Sequence, residues 1–151
     1  ALTAHRPAIA ADENQVGEQM RAGLGERKGV TTYSIFGPEH DRVAVACCTI
    51  EGLDSSLVSA VLSAEYGIGV RDGKFCAHLL VEELLGNPHG DAPETAVRAS
   101  IGLGNNTEHM NRLLDAIGSL AHQGPAFEYQ HTPQGWIPTN DPRDITLPRP
   151  L

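Results

Sequence analysis

The chain has 151 residues, and its 19 acidic and 11 basic residues give a formal net charge of −8 at pH 7. This acidic balance, with basic residues that form no stripe, argues against nucleic acid and anionic membranes as partners. No stretch approaches the roughly 20 apolar residues of a membrane-spanning helix, and the beginning lacks the cationic and apolar runs of a signal peptide. We therefore expect a cytoplasmic globular protein, whose three cysteines stay reduced because an odd count does not indicate a disulfide framework.

Hydrophobic periodicity, turn residues and cap residues predict eight elements. Their order is helix, strand, strand, helix, strand, helix, strand and helix, over residues 12–27, 30–36, 42–50, 54–66, 68–71, 76–85, 95–103 and 106–120. Asp54 or Ser55 is the expected cap of the second helix, and Asn106 or Thr107 that of the last. This order predicts an α+β fold, in which a small, mainly antiparallel sheet is covered by helices on one face.

The chain changes character beyond Gly124. Six of its ten prolines lie in residues 125–151, and they are expected to preclude regular structure over most of that segment. We therefore expect one domain over residues 1–124, followed by a proline-rich tail that Phe127 and Trp136 attach to it.

Residues 67–78 deliver a cysteine, Cys76, from a short strand to the start of the third predicted helix. Backbone N–H groups and the helix dipole favour a thiolate at such a position, and the thiolate is the nucleophilic form. The alternative is that Cys76 packs as a small hydrophobic residue. The apolar face of that helix is expected to consist of Leu79, Leu80, Leu84 and Leu85.

Arg98 interrupts an otherwise apolar predicted strand. A guanidinium inside a strand is costly unless it is paired, and its planar fork suits bidentate binding of a carboxylate. A substrate carboxylate is one candidate partner, and an ion pair with Glu51 or Asp72 is the other. No metal site is predicted, because the spacing of Cys76, His78 and His89 does not reproduce a usual zinc pattern.

Three motifs in this order resemble one known family. The first is an R-x-G-x-x-C-A loop formed by Arg71, Gly73, Cys76 and Ala77. The second is an R-A-S strand with an N-T helix start, matched by residues 97–100 and by Asn106-Thr107. The third is an opening strand and turn, to which residues 43–53 are similar. The likeness covers about residues 12–120. It is to the carboxy-terminal small domain of the class V aminotransferase and cysteine desulfurase family, whose members depend on pyridoxal phosphate.

The resemblance implies a role for each candidate residue. Cys76 corresponds to the nucleophile that takes a persulfide from cofactor-bound cysteine and leaves alanine, and Arg98 corresponds to the residue that binds the substrate α-carboxylate. It also implies that the complete protein acts on a small amino acid, with cysteine favoured, and that it forms a homodimer.

Two features limit what this chain is expected to do alone. Lys74-Phe75 stands where many desulfurases have two histidines, so an aminotransferase or carbon–sulfur lyase without a catalytic cysteine stays open, as does a stand-alone binding module. The only lysines are Lys28 and Lys74, and neither lies in the motif that holds the cofactor in the family's large domain. We expect no cofactor-binding residue here, and no activity without that domain.

Overall fold

The computed structural model of the chain describes residues 2–37, 39–86 and 93–143. This part of the chain contains four helices and six strands. In chain order they are α1 (Leu2–Gly25), β1 (Val30–Tyr33), β2 (Val45–Ile50), α2 (Ser55–Tyr66), β3 (Arg71–Gly73), α3 (His78–Leu85), β4 (Ala96–Ser100), α4 (Thr107–Gln123), β5 (Tyr129–Thr132) and β6 (Gly135–Pro138). No helix within the described ranges is long and apolar enough to cross a membrane.

Strands β1 to β4 form an antiparallel sheet in the order β1-β2-β4-β3. Within it, Cys47 of β2 lies opposite Arg98 of β4, and Arg98 lies opposite Arg71 of β3. Residues directly opposite each other in antiparallel strands point to the same face of the sheet. Cys47, Arg98 and Arg71 therefore form one row across a single face.

The other face of the sheet carries the main hydrophobic core. Cys48 of β2 and Val97 of β4 point into it, each one residue away from the row that contains Arg98. Helices α1, α2 and α4 cover this face with fully buried side chains, among them Met20, Leu24, Val61, Leu62, Ile117 and Leu120. This confirms the predicted α+β fold with a small antiparallel sheet, and three of the four helices of the described residues cover this face.

Helix α3 packs against the opposite face, in a smaller cluster. Its Val81 and Leu85 are buried against Ala96 of β4. The predicted apolar face of this helix is therefore wrong in part, since Leu79 is 83% exposed and Leu80 42% exposed, whereas Leu85 is 7% exposed. The helix begins at His78, two residues later than predicted. Its residues 81 and 85 meet the sheet, and they lie on one side of the helix because they are four residues apart.

The boundaries of α1 and β3 also differ from the prediction. Helix α1 begins at Leu2 rather than at Asp12 and includes Pro7. The alanine-rich residues before Asp12 favour helix strongly enough to offset one proline near the helix start. Strand β3 spans Arg71–Gly73 rather than residues 68–71, so the expected Asp72-Gly73 turn belongs to the strand.

The predicted helix caps are present. The Asp54 carboxylate accepts hydrogen bonds from the backbone N–H groups of Ser56 and Leu57 at the start of α2. The Asn106 side chain accepts one from the His109 N–H, at 3.0 Å, at the start of α4. Each cap satisfies N–H groups that have no partner inside the helix.

The chain beyond Gly124 contains regular structure that its proline content did not predict. Strands β5 and β6 form an antiparallel hairpin with Pro138 opposite Tyr129, and Pro133 falls in the loop between them. Proline is tolerated there because a two-stranded ribbon consists of edge strands, and an edge strand can lack a donor. The last two prolines of the predicted tail, Pro148 and Pro150, lie outside the described residues.

The hairpin is attached to α2 through the carboxylate of Glu65. This carboxylate accepts hydrogen bonds from the backbone N–H of Ala126 at 3.0 and 3.1 Å, from the N–H of Phe127 at 3.0 Å, and from the hydroxyl of Tyr129 at 3.1 Å. Burial and the neighbouring Glu65 together raise the pKa of the Tyr129 hydroxyl, which keeps it protonated as a donor. One side chain thus holds the start of the tail on the domain.

We expect Glu65→Gln to lower the free energy of unfolding by about 1–3 kcal/mol, because hydrogen bonds to a charged acceptor are replaced by weaker or missing ones. Urea unfolding of the variant measures this loss. Glu128→Gln is the matched control, since Glu128 lies on the same segment and its carboxylate makes no hydrogen bond or ion pair among the described residues. Equal losses in both variants would contradict an anchoring role for Glu65.

Candidate functional site

Cys76 lies at the tip of a tight turn between β3 and α3. The turn closes with a hydrogen bond from the Ala77 N–H to the Lys74 carbonyl, at 2.8 Å. Its two central residues, Phe75 and Cys76, have φ angles of 55° and 60°. Such angles are uncommon for residues other than glycine. The turn therefore presents an exposed cysteine two residues before the helix begins.

An ion pair ties this turn to the helix that follows. The ammonium of Lys74 lies 2.6 Å from a carboxylate oxygen of Glu82 in α3. The hydrogen bond from Lys74 holds the pKa of the Glu82 carboxyl below its usual range, so this carboxylate is ionised at neutral pH. The first residue of the turn is thereby fixed to the second turn of α3.

Arg98 meets the same turn through the ring of Phe75. The guanidinium carbon of Arg98 lies 5.3 Å from the centroid of that ring, within the usual distance for a cation–π contact. The Nε atom of Arg98 is buried and has no hydrogen-bond partner among the described residues. Buried donors are nearly always paired in folded proteins, so this atom indicates a site that is incomplete in the chain as described.

The predicted alternative for Arg98, an ion pair with Glu51 or Asp72, does not form. Across the described ranges, no carboxylate lies within 4.0 Å of the Arg98 guanidinium. The structure thus brings together Arg98 and the turn that carries Cys76, and Phe75 is the residue in between. The sequence assigned no role to Phe75, because an aromatic residue beside a cysteine indicates no partner until the strand that holds Arg98 is placed.

The three thiols lie in different surroundings. Burial raises the pKa of the Cys48 thiol to about 12, with a further contribution from neighbouring Cys47. Burial also raises the pKa of Cys47, and the Arg98 guanidinium opposite it lowers that pKa in part. The adjacent cysteines thus face opposite sides of the sheet, as alternation along a strand requires. Cys76 alone of the three is exposed.

The family model for class-V aminotransferases matches residues 3–113 of the chain. The chain therefore belongs to this family, and the match confirms the resemblance drawn from the motifs. A curated relative, a probable cysteine desulfurase of Pseudomonas putida, is 34% identical over 116 residues, which are 77% of this chain and 25% of the relative.

Two solved structures are also similar. The apo cysteine desulfurase of Thermococcus onnurineus NA1 has a TM-score of 0.59 and 27% identity, over 74% of this chain and 25% of that one. The cysteine desulfurase CsdA of Escherichia coli, in an S-sulfonic acid form, has a TM-score of 0.57 and 21% identity, over 72% of this chain and 24% of that one. At this identity the similarity shows the fold alone. The chain thus spans about a quarter of the length of these relatives.

The residues present do not by themselves fit pyridoxal phosphate, the cofactor on which this family depends. That cofactor forms a Schiff base with a lysine amine. The amine of Lys74 is engaged by Glu82, and Lys28 is exposed in the segment between α1 and β1. Within residues 2–37, 39–86 and 93–143, no three His, Cys, Asp or Glu side chains are close enough to hold a metal ion, and His89 lies outside those ranges.

We expect iodoacetamide at pH 8 to modify Cys76 and to spare Cys47 and Cys48. Alkylation requires an accessible thiolate, and the raised pKa values of the two strand cysteines keep them protonated at that pH. Peptide mass spectrometry after short labelling gives the site, and a denatured sample is the control in which all three react. Labelling of Cys48 at the same rate as Cys76 in the folded chain would contradict this.

The positive φ at Cys76 predicts that a glycine variant at this position is more stable than an alanine variant. Cys76→Gly should be more stable than Cys76→Ala by about 1 kcal/mol, because only glycine adopts a positive φ without strain. Urea unfolding compares the two variants. At Ser100, an exposed residue at the end of β4 without a positive φ, the order should reverse, with the glycine variant the less stable. The same order at both positions would exclude strain at Cys76.

Proposed function

We propose that this chain is the small domain of a pyridoxal-phosphate-dependent cysteine desulfurase, in which Cys76 takes the sulfur of the substrate and Arg98 binds its carboxylate. The observation that carries the proposal is the partly buried guanidinium of Arg98, which has no ion-pair partner among the described residues and lies beside the turn that exposes Cys76. A fixed cation without an acid beside it suits an anionic substrate group, and an exposed thiol suits transfer of sulfur.

The family and the named relatives support the choice of reaction. The family match supports pyridoxal phosphate as the cofactor, and the desulfurase relatives support cysteine as the substrate. The cofactor, when bound, supplies the electron sink for breaking the carbon–sulfur bond. In the proposed reaction Cys76 acquires the sulfur as a persulfide, Arg98 holds the carboxylate, and alanine leaves. The lysine that holds the cofactor would belong to a large domain outside this chain.

We further propose that residues 1–124 form the small domain and residues 125–151 an extension of it. The bonds from the start of this extension to Glu65 support that division. A cytoplasmic homodimer is proposed for the complete protein, because the resemblance implies a dimer and the free cysteines suit a reducing compartment.

A second candidate is a class V aminotransferase or carbon–sulfur lyase. The pair Lys74-Phe75 favours it, because many desulfurases have two histidines at these positions and here Lys74 is engaged by Glu82. In that case Arg98 would still bind the substrate carboxylate, and Cys76 would be dispensable for turnover.

The test uses the complete protein that contains this chain, purified with pyridoxal phosphate and given L-cysteine. We expect a cofactor absorption band and the release of sulfide and alanine. Cys76→Ala should abolish sulfide release while the cofactor band is kept. Arg98→Gln should raise KM for L-cysteine about tenfold or more, because a charged, hydrogen-bonded contact worth about 1.5–3 kcal/mol is lost.

Arg112→Gln is the matched control for Arg98. Its guanidinium binds the Tyr66 carbonyl at the end of α2, and we expect KM to stay unchanged. Turnover of amino acids without any need for Cys76 would establish the second candidate instead. A protein that binds no cofactor would be a binding module that has kept the fold.

A further inference from the structure

We propose that Phe75 is a positioning residue that holds the Arg98 guanidinium ready for a carboxylate and couples carboxylate binding to the turn that carries Cys76. This inference rests on the proposed function and names a residue where the chain departs from the motif common among desulfurases. It follows from the contact of the Phe75 ring with the Arg98 guanidinium and from the position of Phe75 next to Cys76 in the turn.

The contact between Phe75 and Arg98 places the guanidinium carbon over the aromatic ring, at 5.3 Å from its centroid. The Arg98 Nε atom has no hydrogen-bond partner among the described residues. Phe75 has no hydrogen-bonding group, so it can fix the orientation of the fork without occupying any donor. A carboxylate can then bind the guanidinium in a bidentate manner.

The surroundings of Phe75 hold its ring in place. The ring packs against the cluster formed by Val81, Leu85 and Ala96. The ion pair between Lys74 and Glu82 fixes the residue before it. A φ of 55° at a bulky side chain costs on the order of 1–3 kcal/mol and persists only where the surrounding structure determines it.

Phe75 and Cys76 are the two central residues of one turn, so their backbone angles cannot change independently of each other. A movement of the Phe75 ring alters the direction in which Cys76 presents its thiol. Because the same ring contacts Arg98, an anion bound to the guanidinium also acts on that thiol through the turn. Recognition of a carboxylate and presentation of the thiol are therefore linked through one side chain.

Two alkylating reagents of similar size distinguish this link from a purely structural role. Iodoacetate carries a carboxylate, whereas iodoacetamide is neutral, and both modify Cys76. The quantity measured is the ratio of their rates at Cys76 in the complete protein, by peptide mass spectrometry. We expect the ratio of the iodoacetate rate to the iodoacetamide rate to be at least about threefold higher in the wild type than in Arg98→Gln. A factor of this size corresponds to a modest ionic preference.

Substitutions of Phe75 then test the inference itself. Phe75→Leu and Phe75→Met keep an apolar side chain in the cluster but remove the ring, and we expect the ratio to fall toward that of Arg98→Gln. Phe75→Tyr keeps the ring and should retain the wild-type ratio. If the substitution only loosened the turn, both rates would change alike and their ratio would stay the same. Two apolar variants are used so that the test still stands if one of them fails to fold.

The outcomes separate the inference from the proposed function. If Arg98→Gln lowers the ratio but Phe75→Leu and Phe75→Met leave it at the wild-type value, the positioning role of Phe75 is overturned and the carboxylate site stands. If Arg98→Gln itself has the wild-type ratio, Arg98 does not recognise carboxylates, and the proposed substrate site fails together with the inference.

Discussion

The charge of Arg98, placed within a small antiparallel sheet, constrains the whole face on which it lies. Cys47 and Arg71, its neighbours across the strands, offer no negative group, and burial of an unpaired cation is costly. An internal carboxylate would offset that cost most directly, but among the described residues none is close enough. The Phe75 ring offsets part of it, and the Nε atom of Arg98 has no hydrogen-bond partner among the described residues. Such an arrangement gives up stability in exchange for a place where an anion can bind.

The fold can tolerate this loss of stability because the two faces of the sheet contribute differently to the core. Helices α1, α2 and α4 bury the main core against one face, so most of the hydrophobic free energy of folding is gained away from Arg98. The opposite face has only the small cluster around Val81 and Leu85. A face that contributes little to the core can hold a strained turn, an exposed thiol and a partly buried cation without unfolding the domain.

The features that the sequence predicted correctly depend on local signals, and those that it missed depend on neighbours distant in the chain. Asp54 and Asn106 cap helices because a short side chain reaches N–H groups two or three residues away. The exposed position of Leu79 could not be predicted, because it depends on which positions of α3 meet the sheet. The hairpin beyond Gly124 was missed for the same reason, since its attachment is made by Glu65, which lies far away in sequence. The sequence singled out Cys76 from its place before a predicted helix and Arg98 from its place in an apolar strand, and the resemblance to the family suggested their roles.

The turn at Phe75 and Cys76 argues that the site has been kept for its chemistry. Lys74 and Phe75, which replace the histidines of many desulfurases, each have a partner here, Glu82 and Arg98. Neither substitution therefore leaves the turn unsupported. A turn retained only for folding would be more stable with glycine at its two central positions, because glycine avoids the cost of a positive φ. That a phenylalanine and a cysteine occupy these positions supports the proposal that their side chains are needed, one beside the guanidinium and one exposed on the turn.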